Sequence, residues 1–169
     1  PGPYIFNMNT LNFENDAFLV KLKNDGTFIW AKEINENATS HVIIYQIEVD
    51  KNQDLIVIGN YEFNPDFDLG PMVYNQASQG SYDFFLLKVD VDANFKWVKT
   101  FGSPKSEHVQ RIIIDKENNY YLGGNFSNQI LLGNNLVNLK SNSSNDIFVI
   151  KTNSDGKEIW AGSYGWTNN

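Results

Sequence analysis

The residues best suited to chemistry are three carboxylates set among aromatic rings. Glu62, Asp66 and Asp68 lie within one short stretch that also holds Phe63 and Phe67, and Tyr74 follows shortly after. Two carboxylates facing across a cleft can act as acid and base, or acid and nucleophile, on a glycosidic bond. A ring beside them can stack on a sugar. The competing reading is packing. Phe67 and Leu69 match Ile130 and Leu132 in a later, similar segment, which leaves Asp68 on the outward side. Glu62, Phe63, Asp66, Asp68 and Tyr74 form the candidate binding set, and no residue is singled out as catalytic.

Metal chemistry has thin support. The chain has two histidines, His41 and His108, and no cysteine. They lie two positions out of register in corresponding segments, and no third ligand accompanies them. Asp90-x-Asp92-x-Asn94 resembles the start of a calcium loop. It has Phe95 where an EF-hand needs Gly and Phe101 where it needs Glu. It reads better as a turn, as does Asp50-x-Asn52-x-Asp54. There is no phosphate-cradling glycine loop, no Gly-x-Ser-x-Gly and no His-Glu-x-x-His. No metal and no cofactor is expected.

These residues must be positioned by what surrounds them, and that is a repeat. Asp16 to Trp30, Asp83 to Trp97 and Asp146 to Trp160 are three copies of one stretch, with the Asp and the Trp 14 residues apart in each. Phe18 aligns with Phe85 and Phe148, and Val20 with Leu87 and Ile150. Both parities of the run are mainly apolar, so the strand is covered on both faces. The aligned Lys21, Lys88 and Lys151 carry the only charge inside it. They are expected at the strand margin, with apolar stems and wet amines.

A turn follows each strand: Asn24-Asp25-Gly26, Asp92-Ala93-Asn94 and Ser154-Asp155-Gly156. Asp-Gly between two β-runs signals a hairpin, because Gly accepts positive φ. With Ala93 in the second copy, the left-handed position is expected to shift to Asn94. Asp16, Phe18, Trp30, Asp83, Phe85, Trp97, Asp146, Phe148 and Trp160 are the expected structural residues, the tryptophans serving as anchors.

Two further strands precede each complete hairpin. His41–Val49 and Leu55–Tyr61 match His108–Ile114 and Tyr120–Phe126. Long connections, Glu62–Tyr82 and Ser127–Asn145, then lead to the hairpins. The expected division is one repeat domain over 1–169: a partial blade at 1–40, a blade at 41–107 and a blade at 108–169. No helical period of useful length appears.

The pattern Asp-x-Phe-x-x-Lys, Asp-Gly, Trp, x-Ile-x-x-Asp and a strand ending in Gly resembles the bacterial β-propeller repeat of the SBBP type. The resemblance implies an all-β fold of propeller-like blades, each of four antiparallel strands. It implies the order 41–49, 55–61, 83–89, 95–101 from the axis outward, then 108–114, 120–126, 146–151, 157–163. About two and a half blades are present, and closed propellers have 4–8. The chain is therefore expected to be a slice of a larger propeller or to assemble with further blades of the same or another chain.

Composition narrows the rest. The net charge is −7, without a basic cluster, so nucleic acid and anionic membranes are not expected partners. No apolar run reaches the length of a membrane-spanning helix. The leading expectation is a non-catalytic module of a secreted or cell-surface bacterial protein. It would bind protein or glycan through its blade-connecting loops, or act as a display scaffold. The alternatives are part of a propeller-fold glycoside hydrolase or lyase, with its site shared with other blades, and a structural spacer of an adhesin or filament.

Overall fold

A computed structural model describes residues 17–34, 40–132, 137–141 and 145–165. Asp16 lies outside them, as does Asn35, which stands where the later copies have Gly102 and Gly165. β1 (Ala17–Leu22) and β2 (Phe28–Ile34) pair as a hairpin. β3 (His41–Val49), β4 (Leu55–Glu62), β5 (Asp83–Val89) and β6 (Phe95–Phe101) form a four-stranded sheet in that order. β7 (Glu107–Ile114) and β8 (Tyr120–Phe126) are followed by a small ribbon of β9 (Gln129–Leu132) and β10 (Val137–Lys140). β11 (Asp146–Thr152) and β12 (Glu158–Tyr164) complete a second sheet in the order β7-β8-β11-β12. Every pairing is antiparallel. No helix occurs among the described residues. The expected strand order inside each blade is the observed one.

β5 shows why both parities are apolar. All seven of its residues are buried. Phe85, Leu87 and Val89 face the hairpin, where Ala17 and Leu19 meet them. Phe84 and Leu86 face the second sheet, where Leu122, Phe148 and Ile150 meet them. A strand between two neighbours has no wet side. Each fully buried Phe or Leu there contributes about 1.5–3 kcal/mol.

The small residues of the pattern make room for the large ones. Gly59 pairs with Phe85, and Gly124 with Phe148. A Cβ at Gly59 would stand 2.8 Å from the Phe85 ring, and one at Gly124 2.7 Å from the Phe148 ring. Both glycines lie inside their strands, where a Cβ would strike both the ring and a neighbouring strand's carbonyl, that of Ile43 or His108. Gly102 and Gly165 repeat the device, since a side chain there would strike the carboxylates of Asp83 and Asp146.

One turn is built five times, at 23–27, 50–54, 90–94, 115–119 and 153–157. In each, the fourth residue donates its N–H to the first residue's carbonyl, and the first donates to the fifth's. The fourth residue has positive φ in every case: Gly26, Gln53, Ala93, Asn118 and Gly156. The expected shift to Asn94 does not occur, and Ala93 itself takes φ 64°. The Asp90 carboxylate explains it. Its Oδ1 accepts from the N–H groups of Asp92 and Asn94, each at 2.9 Å, and fixes the turn regardless of the residue between. Asp50, Asp115 and Asn153 play the same part in their turns.

The aligned residues are not equivalent in burial. Phe85 and Phe148 are fully buried, whereas Phe18 is 50% exposed. Trp30 and Trp97 are partly buried against the two cores, and Trp160 is exposed. Trp97 is an anchor between blades: its ring lies 2.9 Å from where a Cβ of Gly156 would stand. Lys88 corrects the expectation of wet amines, because it is buried and its amine is paired.

Candidate functional site

The connection from β4 to β5 carries the candidate binding set, and it is more ordered than a loop. Phe67 donates to the Tyr74 carbonyl (3.0 Å), Gln76 to that of Pro65 (3.2 Å) and Ser78 to that of Phe63 (2.7 Å). These bonds make an irregular ribbon equivalent to β9–β10. Phe63 at φ 68° and Asn128 at φ 82° start the two ribbons at corresponding points. Each ribbon is fastened by buried apolar residues, Phe67 and Leu69 in one, Ile130, Leu132 and Leu139 in the other. The Phe67 ring sits 4.9 Å from Phe85 and 5.3 Å from Tyr61.

The five candidates therefore divide. Asp66 is consumed by the ribbon itself, its Oδ1 accepting from the N–H groups of Asp68 (3.0 Å) and Tyr74 (2.7 Å). Asp68 accepts from Gly70 at 2.7 Å. Glu62, at the ribbon's base, accepts from the Ser81 hydroxyl at 3.4 Å. Phe63 is exposed and sits edge-on to His41 at 6.4 Å. Tyr74 is partly covered by Phe95, 4.9 Å away. The tip between them exposes Met72 and Val73. The arrangement is a display ribbon with apolar tip residues, not a cleft with opposed carboxylates.

His41 opens β3, and His108 is the second residue of β7. His41 lies by Phe63 and His108 by Tyr82, whose ring is 5.9 Å away. Burial holds the His108 imidazole below its usual range. Among the described residues no group of three or more His, Asp or Glu is placed to hold a metal ion.

A polar knot at the turn end was not legible in the sequence. Lys88 Nζ stands 2.8 Å from Asp50 Oδ2, 3.3 Å from Asp54 Oδ2, 3.1 Å from the Tyr120 hydroxyl and 3.2 Å from the Ser154 carbonyl. Tyr120 donates to Asp50 at 2.9 Å, and Lys96 meets Asp54 at 2.6 Å. Burial alone would raise the Asp50 carboxyl, but the bonds from Lys88, the Asp54 N–H and Tyr120 outweigh it and hold it at about 2. Burial pushes the Tyr120 phenol up to about 12. Lys88 thus ties its own blade to the turn of the next. Lys21 does the same one repeat earlier, reaching the Val91 carbonyl at 2.7 Å, and Val91 corresponds to Ser154.

The opposite end holds a second buried set. Asp83, Glu107 and Asn60 are almost completely buried. Asp83 Oδ2 accepts from the Gln79 N–H (2.9 Å) and the Tyr61 hydroxyl (3.4 Å). Glu107 Oε1 accepts from Ser103 at 2.6 Å. Asn60 donates to the carbonyls of Asp83 and Glu107 and so joins one sheet to the next. Burial raises the Asp83 carboxyl to about 6. Burial, and then the nearby Asp83 charge, raise Glu107 to about 7.

Between the innermost strands β3 and β7 runs an open groove of about 490 Å³. Gln46 crosses it, its side-chain oxygen accepting from the Ile112 N–H and its amide donating to the Ile112 carbonyl, both at 3.1 Å. Both strands are bulged at this level. The groove's carboxylates include Glu48, Asp50 and Asp115. Asp50 and Asp115 are held below the usual carboxylate range by their turn bonds and lysine partners. A proton-donating carboxyl needs the reverse shift. The carboxyls that have it, Asp83 and Glu107, are sealed from solvent.

No family model matches the chain. The chain is 22% identical to an uncharacterized WD repeat-containing protein of Acanthamoeba polyphaga mimivirus, over an alignment that takes in 90% of this chain and 13% of that protein. Together with the stacked four-stranded sheets, this likeness marks the fold as propeller-like. The chain spans only a small part of the relative's length.

Proposed function

We propose that the chain is a non-catalytic blade module of a larger β-propeller, and that it binds a protein partner through the ribbon at 63–78. The observation that carries this reading is the ribbon itself. Its base is locked into the core by Phe67 and Leu69, while Phe63, Met72, Val73 and Tyr74 are exposed. A rigid mount that holds apolar and aromatic side chains in water fits recognition better than packing. Ordering such a ribbon beforehand also lowers the entropic cost of binding.

Further blades of the same or another chain are the second class of partner. Ile147 and Trp160 on one outer face, and Phe18 and Val20 on the other, are exposed at positions whose counterparts inside the stack are covered. The SBBP-type repeat pattern supports placement in a secreted or cell-surface protein of a bacterium. Glycan binding is the alternative for the same ribbon, with Tyr74 as the stacking ring.

The test is a peptide-display selection and a glycan array, run in parallel against the purified chain and a variant carrying Met72→Asp and Tyr74→Ala. Ligands that bind the chain and are lost on the variant support the ribbon as the site. Ligands that bind both equally would move the site elsewhere. A response confined to the glycan array would replace protein with sugar.

A further inference from the structure

Two seams inside the chain are built alike. At the first, Ala17 and Leu19 of β1 share a core with Phe85 and Leu87 of β5. The Lys21 amine donates to the Val91 carbonyl at 2.7 Å, with the Asp92 carboxylate 3.9 Å away. At the second, Phe84 and Leu86 of β5 share a core with Phe148 and Ile150 of β11, and Phe84 stacks on Phe148 at 4.9 Å. The Lys88 amine donates to the Ser154 carbonyl at 3.2 Å, and the Trp97 ring lies over the turn at Gly156. Counted from the repeated Asp, the same positions meet at both seams. The first and third residues after it, with the lysine and the tryptophan, make one half, a tail face. The second and fourth, with the turn that follows, make the other half, a head face.

Each half also stands once with its residues in water. At β11 the tail face holds Ile147, which is 57% exposed where Phe84 is 0%, half-buried Val149 and Trp160. Lys151 keeps the pairing to its own blade's turn, Asp115 at 3.3 Å, as Lys88 keeps Asp50. Ile113, Tyr121, Lys151 and Trp160 extend this face as one cross-strand row. At β1 the head face holds Phe18 and Val20, 50% and 47% exposed where Phe85 and Leu87 are 0%. Its turn is Asn24-Asp25-Gly26. A Cβ at Gly26 meets nothing within 4 Å, whereas one at Gly156 meets the Trp97 ring.

We propose that the tail face of one copy of this chain docks on the head face of a second copy and repeats the internal seam. Ile147 and Val149 meet the second copy's Phe18 and Val20. Lys151 donates to the second copy's Asn24 carbonyl, the counterpart of Val91 and Ser154, and Asp25 beside it supplies the opposite charge that Asp92 supplies to Lys21. Trp160 covers the turn at Gly26. The proposal rests on the reading of the chain as a blade module and names one occupant for its outer faces. A two-fold pairing of tail faces offers neither Trp160 a turn to cover. The head-to-tail contact is heterologous, so a dimer still presents one head and one tail, and growth continues until a ring closes.

The experiment is sedimentation velocity over a dilution series of the full chain, of Ile147→Lys with its head intact, of Phe18→Lys with its tail intact, and of Met72→Asp on the ribbon. The wild type and Met72→Asp should associate beyond the dimer as concentration rises. Each face variant alone should associate more weakly by about tenfold or more. An equimolar mixture of the two face variants should form a complex again and stop at the dimer, because only one sound tail and one sound head remain. Trp160→Ser and Val20→Lys repeat the test if either face variant loses its cooperative melt. A wild type that stays monomeric, a face variant that associates as the wild type does, or a mixture that stays monomeric would each overturn the docking. Association lost in Met72→Asp would assign it to the ribbon instead. Ligand binding by the ribbon is read in its own selection and stands or falls without this result.

Discussion

The ring of Trp97 lies 2.9 Å from the point where a Cβ on Gly156 would be. One residue closes the outermost strand pair of the first blade, and the other is the left-handed residue of a turn in the next. Trp97 and Gly156 are thus two halves of one contact, made across blades.

Gly156→Ala should therefore cost more than Gly26→Ala. Both glycines have positive φ, but a Cβ at Gly26 meets nothing within 4 Å. The backbone penalty of about 1–2 kcal/mol is common to both. Only Gly156→Ala adds the collision with Trp97. Urea melts should show Gly156→Ala lower by roughly a further 1 kcal/mol or more. Equal losses would detach Trp97 from that turn.

Lys88→Met should destabilise by about 3–5 kcal/mol, because it leaves Asp50 buried without its cation. Joining it to Asp50→Asn should recover part of the loss. The acid limb follows from the same pair. The Asp50 carboxyl is held at about 2, below its unfolded value near 4. Its contribution is present above pH 4 and is lost as pH falls toward 2. In Asp50→Asn the acid limb should be shallower in a melting series from pH 5 to pH 2.

The other end has the opposite sign. Asp83 at about 6 and Glu107 at about 7 are raised above their unfolded values near 4. Their contribution is complete below pH 4 and is lost as pH rises through 6 to 7. The melting temperature should fall between pH 5 and pH 8. Glu107→Gln should flatten most of that fall, roughly 2–3 kcal/mol in free energy. A melting temperature indifferent to pH in this window would contradict the burial of the pair.

Asp66→Ala should loosen the ribbon by about 1–2 kcal/mol, since it removes the acceptor of two backbone N–H groups. Asp68→Asn keeps an acceptor for Gly70 and should be near neutral. Hydrogen exchange at Tyr74 and Asp68 reads the difference directly.

Ile147→Lys should leave stability within about 0.5 kcal/mol, because Ile147 is 57% exposed. It should reduce self-association of the isolated chain in sedimentation velocity, since the matching Phe84 is covered inside the stack. Association unchanged by Ile147→Lys would remove that face as a contact.

The scaffold was legible because its determinants are local and repeated. Short apolar runs, turn residues at fixed offsets and the recurring Asp, Phe and Gly mark the strands, and the resemblance to a propeller repeat implied their order. Ala93 misled because the turn is held by Asp90 and not by the residue with positive φ. Lys88 misled because a strand-margin lysine looks alike whether its amine meets water or Asp50. Trp160 carries the same local pattern as Trp97 but differs in what lies over it. Glu107 had no signal at all: its partners Ser103 and Asn60 are brought to it by the stacking of two sheets. The candidate set at 62–74 was found as a segment, but two of its carboxylates, Asp66 and Asp68, proved to be tied to the ribbon's own backbone N–H groups.

Gln46 sits midway along the seam between the two sheets. Ties between the two sheets occur at three heights: Lys51 to the Lys116 carbonyl at the turns, Gln46 to Ile112 in the middle, and Asn60 to the Glu107 carbonyl at the far end. Directional bonds near the axis act as a hinge with its pin in place, while the apolar filling farther out only sets the spread. The wedge between neighbouring blades, and with it the curvature of any ring they belong to, is then governed by a few amides together with Lys51 and the Lys88 knot. Core substitutions would alter how firmly such a ring holds. Changes at Gln46 or Asn60 would alter whether it can close.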